Sequence, residues 1–295
     1  MKDKGFLRSL IPPRFELVEQ RTSTLAIHQD AGRRLRELVL ASAGERGKTG
    51  SVYEGRGVIQ RVVYDPDRSA CAIFRRYRHG GLLRWLTGDK LFNAWRPFRE
   101  LEVVEQAREK GVPTAEVLAV RVDRVGFFLY QGEMVTREIE DAPDLIHWLT
   151  KEPAPAPAVR RSVVRVLGGA VARMHLAGVL HADLHLKNLL LRCRDQPEAF
   201  VIDLDKASRF RPGGLTLSAV LVNLIRLDRS VEKFNLLEFR GITRQDRVRF
   251  LDAYLEVFQC GLALREAVRR IRTRFLVRRL KWWVMRWLRR RGSRG

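Results

Sequence analysis

Two short polar segments carry the residue types that transfer of a phosphoryl group requires. The first, HADLHLKN, runs from His181 to Asn188, and the second, VIDLDKA, runs from Val201 to Ala207. Each lies beside a run of branched aliphatic residues, so the polar groups are expected in loops next to buried strands. In phosphoryl transfer from ATP, one aspartate accepts the proton of the attacking hydroxyl, while other carboxylate and amide oxygens hold Mg²⁺ on the phosphates. The two segments predict this chemistry.

The spacing within these segments gives each polar residue a candidate role. Asp183 and Asn188 stand five residues apart, the separation of a catalytic aspartate from a metal-binding asparagine in a phosphoryl-transfer loop. Asp203 follows the apolar run FVI, twenty residues after Asp183, and is the candidate carboxylate for chelating Mg²⁺. His181 is expected to brace the loop backbone by hydrogen bonding. Lys187 is a cation within reach of the transferring phosphate.

Ordinary structural roles compete with some of these assignments. Asp183 and Asn188 could be turn and cap residues, because both types favour loops. His185, between them, could be a ligand or a polar loop residue, and we expect the second. Asp205, two residues after Asp203, could assist a metal ion or cap the following segment, and we expect a cap.

A β-rich half is expected to precede the two segments, and a helical half to contain them. GKTGSVYEGRGVIQRVVYD, a turn and ACAIFRRY predict a hairpin followed by a third strand, and VLAVRVD and VGFFLYQGEMV predict two more strands. Between Trp95 and Lys110, apolar residues recur at helical spacing. The proline-alanine segment EPAPAPA, 152–158, cannot continue a helix, and long helical patterns follow it.

The two segments together resemble the signature of the protein-kinase-like fold, in which H-R-D is followed by N and then by D-F-G. More narrowly, the chain is similar to the bacterial lipopolysaccharide kinase family, which phosphorylates 3-deoxy-D-manno-octulosonic acid (Kdo) or heptose in the inner core, and most similar to its Kdo-kinase branch. The likeness extends from about residue 50 to about residue 260 and rests, in chain order, on YRHGGLLRWL, RPFRELEVVEQAREKGVP, MVTREIEDAPDL, HADLHLKN, VIDLDKA and NLIRLDRSVEKF.

This resemblance implies a two-lobed α+β fold that uses ATP and Mg²⁺. The lobes would be a nucleotide-covering N-lobe over 1–134, mainly antiparallel sheet with one helix, and a mainly helical C-lobe over 135–270. In the C-lobe, Asp183 matches the catalytic aspartate and His181 the structural histidine. Asn188 and Asp203 match the metal ligands.

In the N-lobe, the resemblance matches Arg75 to the strand cation that binds phosphate and Glu100 to the helix glutamate that pairs with it. Arg75 stands where lysine is usual, and the planar guanidinium is not interchangeable with an ammonium group. Glu102 and Glu105 are the alternatives to Glu100 in the ion pair. The glycine-rich turn over the phosphates is matched, in the abbreviated form GRG, by Gly55 and Gly57.

Two departures from the protein-kinase pattern bear on the substrate. The D-F-G glycine is replaced by Asp205, and no A-P-E sequence follows it. We therefore expect neither an activation loop of the protein-kinase kind nor a polypeptide substrate. A kinase for another small molecule or a protein, and a catalytically weak membrane-associated kinase-like protein, are the alternatives to a Kdo or heptose kinase.

The composition predicts a globular protein with an anionic partner. The hydrophobic fraction is 45%, and the net charge of +22 with a pI near 11.0 favours nucleic acid, a phosphorylated glycolipid or an acidic membrane surface. No nucleic-acid-binding module accompanies the charge, which disfavours nucleic acid. Three scattered cysteines fit a reducing compartment. With neither a secretory signal nor a bilayer-spanning stretch evident, we expect a soluble or peripheral cytoplasmic protein.

The last 25 residues, 271–295, are expected to form a separate amphipathic helix. In FLVRRLKWWVMRWLRRRG, 275–292, apolar residues fall in one arc of a helical wheel and arginines occupy most of the rest. Tryptophans beside an arginine-rich face are typical of a helix lying in an anionic membrane interface, and packing on the C-lobe is the alternative. Together with the family resemblance, this helix predicts an enzyme at the cytoplasmic face of the inner membrane, acting on Kdo-lipid A or another lipopolysaccharide core precursor.

Overall fold

The structure, a computed structural model, describes residues 4–41, 51–54, 58–67, 69–77, 90–151, 153–235 and 241–259, with single positions at 266 and 269. The predicted glycine-rich turn at Gly55 and Gly57 lies outside these residues, as does the predicted C-terminal helix at 271–295. The chain divides into two compact units. One holds the described residues up to Glu140 and the segment Leu204–Ala207, and the other holds Asp141–Asp203 and the described residues from Ser208 onward.

The first unit is built on one antiparallel sheet, in which eight strands lie within the described residues. They are β1 (Phe15–Glu19), β2 (Ser23–His28), β3 (Ser51–Glu54), β4 (Val58–Asp65), β5 (Ala70–Arg76), β6 (Lys90–Leu91), β7 (Val117–Arg124) and β8 (Tyr130–Arg137). The order is β1-β2-β7-β8-β5-β4-β3, and β6 pairs with β8. The helices described in this unit are α1 (Lys4–Leu10), α2 (Arg33–Leu40) and α3 (Arg96–Glu109). The expectation of one helix in this half of the chain was therefore wrong, since two short helices precede β3.

Helix α3 is held against the sheet by its apolar stripe and by a close approach to β8. Phe98 and Leu101 are fully buried, and Pro97 is tolerated because it lies in the first turn. A Cβ added to Gly132 of β8 would lie 2.7 Å from the Cγ atom of Pro97. Only glycine leaves this space, so the sequence of β8 fixes how closely the start of α3 approaches the sheet.

The hairpin between β7 and β8 differs from the sequence prediction. A strand was predicted through VGFFLYQGEMV, but β8 begins at Tyr130, and residues 125–129 form the turn. The N–H group of Val125 donates to the carbonyl of Leu129 at 2.9 Å, which closes the hairpin. The strand preference of Phe127 and Phe128 is overridden because the chain must reverse between two long paired strands.

The second unit is mainly helical. Its described helices are α4 (Leu145–Thr150), α5 (Pro157–Leu176), α6 (Leu217–Asn235) and α7 (Arg244–Phe258). Between α5 and α6 lie the short strands β9 (Val179–Leu180), β10 (Leu189–Cys193), β11 (Pro197–Val201) and β12 (Ser208–Arg209). The pairs β10–β11 and β9–β12 are antiparallel.

Close backbone contact joins α5 to α7. A Cβ added to Gly168 of α5 would lie 2.5 Å from the carbonyl oxygen of Phe250 in α7, so the pair requires glycine there. Helix α7 begins at a capping box, in which Thr243 and Asp246 exchange side-chain and backbone hydrogen bonds.

No helix in the described parts of the chain combines the length and apolar character needed to cross a bilayer.

Candidate active site

The segment HADLHLKN forms a loop that is anchored by its leucines. Leu184, Leu186 and Leu189 are buried, and a single turn of 3₁₀ helix begins at Leu186. Asp183 and Lys187, which alternate with these leucines, are exposed. The side chain of Asp183 is 66% exposed on a backbone that the leucines hold in place, so an acceptor molecule can reach its carboxylate.

His181 joins the two polar segments through both of its ring nitrogens. Its Nε2 atom donates to the carbonyl of Ile202 at 2.9 Å, and its Nδ1 atom accepts from the backbone N–H of Asp183 at 3.0 Å. This pair of bonds requires the neutral ring with the proton on Nε2. Burial is the main cause that lowers the pKa of His181, which keeps the ring neutral. The histidine therefore fixes the backbone of Asp183 against the segment that leads to Asp203.

The positions of Asn188 and Asp203 are set by the pairing of β10 with β11. The N–H group of Ile202 donates to the carbonyl of Asn188 at 3.0 Å, and the Nδ2 group of Asn188 donates to the carbonyl of Asp183 at 2.9 Å. Because its donor group is held by the protein, Oδ1 is the atom of Asn188 that can bind a metal ion. Asp203 lies directly after Ile202 with φ at +63°, in the left-handed region that aspartate and asparagine adopt more readily than most residues.

Helix α6 supports the HADLHLKN loop with three polar side chains to which the sequence motifs gave no role. The amide of Asn223 donates to the carbonyl of His181 at 2.7 Å, and Arg226 donates to the carbonyls of His181 and Ala182. Ser230 accepts from the N–H of Leu186 at 3.1 Å. Positions 223, 226 and 230 share one helix face. In the sequence, the sign that this helix contacts a polar loop was the spacing of these polar residues within an otherwise apolar helix.

The side chain that lies beside the Asp183 carboxylate is that of His185. The Nε2 atom of His185 is 3.5 Å from Oδ2 of Asp183, and the imidazole is 24% exposed. Its Nδ1 atom is buried and has no hydrogen-bond partner among the described residues. The sequence predicts an ordinary polar loop residue at this position and gives Lys187 the role of the cation near the transferring phosphate.

In the first unit, Arg75 of β5 forms an ion pair with Glu100 of α3. The guanidinium donates to Oε1 of Glu100 at 2.6 Å, and the hydroxyl of Tyr77 donates to Oε2 at 2.5 Å. Burial, followed by the charge of Glu100, raises the pKa of Tyr77 well above its ordinary value, so the hydroxyl remains a donor. Glu100 is 2% exposed with a donor on each oxygen. Arg75 therefore contacts Glu100, the glutamate to which the family resemblance assigned the ion pair.

Asp205 is held by Arg96, at the first turn of α3. The guanidinium donates to both carboxylate oxygens, with Nε 2.8 Å from Oδ1. Burial opposes the charge on Arg96, but the hydrogen bonds to Asp205 outweigh it and raise the pKa of the guanidinium. Arg96 also lies over the ring of Tyr77, 5.3 Å from its centroid. Asp205 is therefore in a charged hydrogen-bond pair, a contact between residues 109 apart that the sequence did not reveal.

Comparison with known proteins gives the family. The model of the lipopolysaccharide kinase (Kdo/WaaP) family matches residues 43–254. The chain belongs to this family. A 3-deoxy-D-manno-octulosonic acid kinase of Vibrio cholerae is 30% identical over 198 residues, which cover 64% of this chain and 76% of the relative. The enzyme of the same name from Vibrio parahaemolyticus is 32% identical over 189 residues, covering 63% and 73%.

A solved structure of the same family supports the fold. WaaP, determined in complex with acyl carrier protein, matches with a TM-score of 0.54 at 22% identity, covering 79% of this chain and 88% of WaaP. The predicted α+β, protein-kinase-like fold class is confirmed. Family membership also confirms the predicted function class, a lipopolysaccharide kinase that uses ATP and transfers phosphate to an alcohol group.

We expect the pair of Arg96 and Asp205 to position α3 in this lipopolysaccharide kinase. Asp205→Asn removes the charge that holds Arg96 and should loosen the first turn of α3, the helix that carries Glu100. We therefore expect kcat/KM for ATP to fall about tenfold, which is the size of effect measured for charged hydrogen bonds. A double-mutant cycle with Arg96→Gln provides the check, because residues that act through one contact have non-additive effects. Additive losses in kcat/KM would show that the two side chains act separately.

The buried histidine behind the loop makes the stability of the kinase depend on pH. His175 is bonded to Tyr254 at 2.8 Å and to Asn223 at 3.1 Å, and burial lowers its pKa from 6.5 to about 4. Because the unfolded chain takes up this proton first as the pH falls through 6.5, the stabilisation is complete above that pH and is lost towards pH 4. We expect the free energy of unfolding to fall by about 2 kcal/mol between pH 7 and pH 5 from this group.

Urea unfolding at the two pH values measures this change. His175→Gln removes the titrating group and keeps a side chain that can form hydrogen bonds, so the variant should show a smaller dependence on pH. An unchanged dependence would assign the effect to other groups, among them His181.

Proposed function

We propose that this kinase transfers the γ-phosphate of ATP to a hydroxyl of Kdo in a lipid-linked precursor of the lipopolysaccharide inner core, at the cytoplasmic face of the inner membrane. The observation that carries the proposal is the loop around Asp183, with an exposed carboxylate on a backbone fixed by His181 and α6. The relatives from Vibrio, named as Kdo kinases, support Kdo as the first choice of acceptor.

Asp183 is proposed as the base that orients the sugar hydroxyl and accepts its proton. Its backbone N–H is bonded to His181 and its carbonyl accepts from Asn188. These bonds, which hold the loop, use main-chain atoms and leave the carboxylate for the acceptor hydroxyl. His185, 3.5 Å from the carboxylate, is placed to restrict its rotation. Lys187 remains the predicted cation for the transferring phosphate.

Asn188 and Asp203 are proposed to hold Mg²⁺. Both offer hard oxygen atoms, which Mg²⁺ prefers, and Mg²⁺ commonly takes one or two protein oxygens and completes its shell with phosphate oxygens and water. No cluster of three or more histidine, cysteine, aspartate or glutamate side chains suited to a metal ion occurs within the described ranges. A pair of protein oxygens suits a metal ion that arrives with the nucleotide. When bound, the ion neutralises charge on the phosphates.

Arg75 is proposed to contact the phosphates of ATP from the first unit. Glu100 takes one hydrogen bond from Arg75 and one from Tyr77, which fixes the direction of the guanidinium. A guanidinium presents several donors in one plane, so it can bind a phosphate while it remains paired with a carboxylate. Gly55 and Gly57 stay predicted contributors to the phosphate-covering turn.

Labelling of purified acceptors tests the proposed substrate. The kinase is incubated with ATP labelled on its γ-phosphate and with Kdo-lipid A precursors dispersed in detergent, in parallel with precursors extended by heptose. Mild acid cleaves the glycosidic bond of Kdo, so the label should leave the lipid together with Kdo. Label that appears only on heptose-extended acceptors would assign heptose instead. Absence of label on both would refute a lipopolysaccharide core sugar as the acceptor.

A further inference from the structure

The turn between β7 and β8 presents two phenylalanines to solvent. Phe127 is 80% exposed and Phe128 is 71% exposed, the highest values among the exposed large hydrophobic side chains of the described residues. Val125, in the same turn, is 44% exposed. Single exposed apolar residues are common on protein surfaces, but adjacent aromatic rings at the end of a hairpin form a concentrated apolar site. We refer to residues 125–129 as the aromatic tip.

Hydrogen bonds and ring contacts define the shape of the aromatic tip. The Val125 N–H bond to Leu129 closes the turn, and the rings of Phe127 and Phe128 meet edge to face, with centroids 5.3 Å apart. The rings therefore pack on each other at the end of the hairpin. The paired strands β7 and β8 hold this apolar pair at a fixed place on the sheet.

Cationic side chains border the aromatic tip. The guanidinium of Arg124 lies 5.9 Å from the centroid of the Phe127 ring, and its Nε atom donates to the carbonyl of Gly126 at 3.2 Å. The backbone N–H of Arg124 donates to the carbonyl of Thr22 at 2.7 Å, which places the turn between β1 and β2, with the exposed Arg21, next to the tip. Exposed aromatic rings with arginines beside them match the layers of an anionic membrane interface.

We propose that the aromatic tip inserts into an anionic lipid surface, with Phe127 and Phe128 in the interfacial layer and Arg124 and Arg21 at the lipid phosphates. This inference rests on the proposed function, which places the acceptor in a membrane. The net charge of +22 favours an anionic lipid surface over a neutral one. Two rings with bordering cations suit insertion into lipid better than a protein interface, which requires a more extended complementary area.

Vesicle sedimentation of the full chain tests the aromatic tip. The double variant Phe127→Ser/Phe128→Ser should bind vesicles of phosphatidylglycerol and phosphatidylcholine in equal parts at least about tenfold more weakly than the unmodified chain, because two apolar rings no longer leave water. Arg124→Gln should weaken binding to these vesicles by about fivefold and should not change binding to pure phosphatidylcholine. Val63→Ser, at an exposed valine of β4, is the matched control and should change binding by less than about twofold.

Kinase activity on acceptor dispersed in detergent separates this proposal from the proposed function. The double variant should keep the activity of the unmodified chain in detergent, since the tip is assigned no part in the chemistry. Unchanged vesicle binding by the double variant would overturn the proposal, as would loss of its activity in detergent. If the unmodified chain binds neither vesicle type, a protein partner fits the tip better and the proposal is wrong. Failure of the unmodified chain to label any acceptor in detergent counts against the proposed function alone.

Discussion

Asp183→Asn should lower kcat for phosphate transfer by about 10³-fold, with little change in the Kd for ATP. The substitution keeps the size of the side chain and removes its ability to accept a proton, and a positioned base contributes about 10²- to 10⁴-fold to such reactions. The structural bonds of this residue use its backbone, with the N–H group on His181 and the carbonyl on Asn188. The loop should therefore keep its conformation in the variant.

Single-turnover labelling and a separate measurement of ATP binding check this expectation. Asp195→Asn is the matched control, because Asp195 is an exposed aspartate in the turn between β10 and β11 of the same unit. The control should retain full activity. An Asp183→Asn enzyme with more than about a tenth of the normal kcat would show that another group accepts the proton, and His185 would be the first residue to examine.

Asp203→Asn should lower activity by about 10²- to 10³-fold and make the remaining activity depend on a higher concentration of Mg²⁺. The variant retains one oxygen but loses the negative charge that a hard divalent cation prefers. Asparagine tolerates the left-handed backbone at this position, where φ is +63°, so the substitution changes charge without adding strain. Titration of activity with MgCl₂ measures the change.

Asp205→Asn gives a matched control for Asp203, since it removes the same charge two residues away. Arg96 holds Asp205, so this variant should lose activity through the position of α3 and keep the normal Mg²⁺ dependence. If both variants shift the Mg²⁺ titration equally, then the effect comes from the general loss of negative charge in this segment and Asp203 has no special role as a ligand.

The sequence predicted the part of the candidate site that depends on local spacing. HADLHLKN and VIDLDKA each supply their polar groups within one loop, and one short hairpin separates them, so strand pairing alone brings Asn188 next to Ile202. The family resemblance also predicted the pair of Arg75 and Glu100, and the two side chains are in contact in the structure. Periodicity did not distinguish Glu100 from Glu102 and Glu105, since a helix boundary read from sequence is uncertain by a few residues.

From the sequence alone, the resemblance carried by short motifs determined the fold class and the function class, and the same motifs predicted the two loops that would carry the chemistry, because motifs a few residues long can be read without tertiary structure. Only the tertiary structure showed that Arg96 binds Asp205, that α6 is hydrogen-bonded to the HADLHLKN loop, and that His185 lies beside Asp183. The segment VGFFL, which was predicted as part of a strand, forms the exposed aromatic tip in the structure. These features depend on side-chain directions and on contacts between distant segments, and the packing of helices and strands, rather than local preference, decides both.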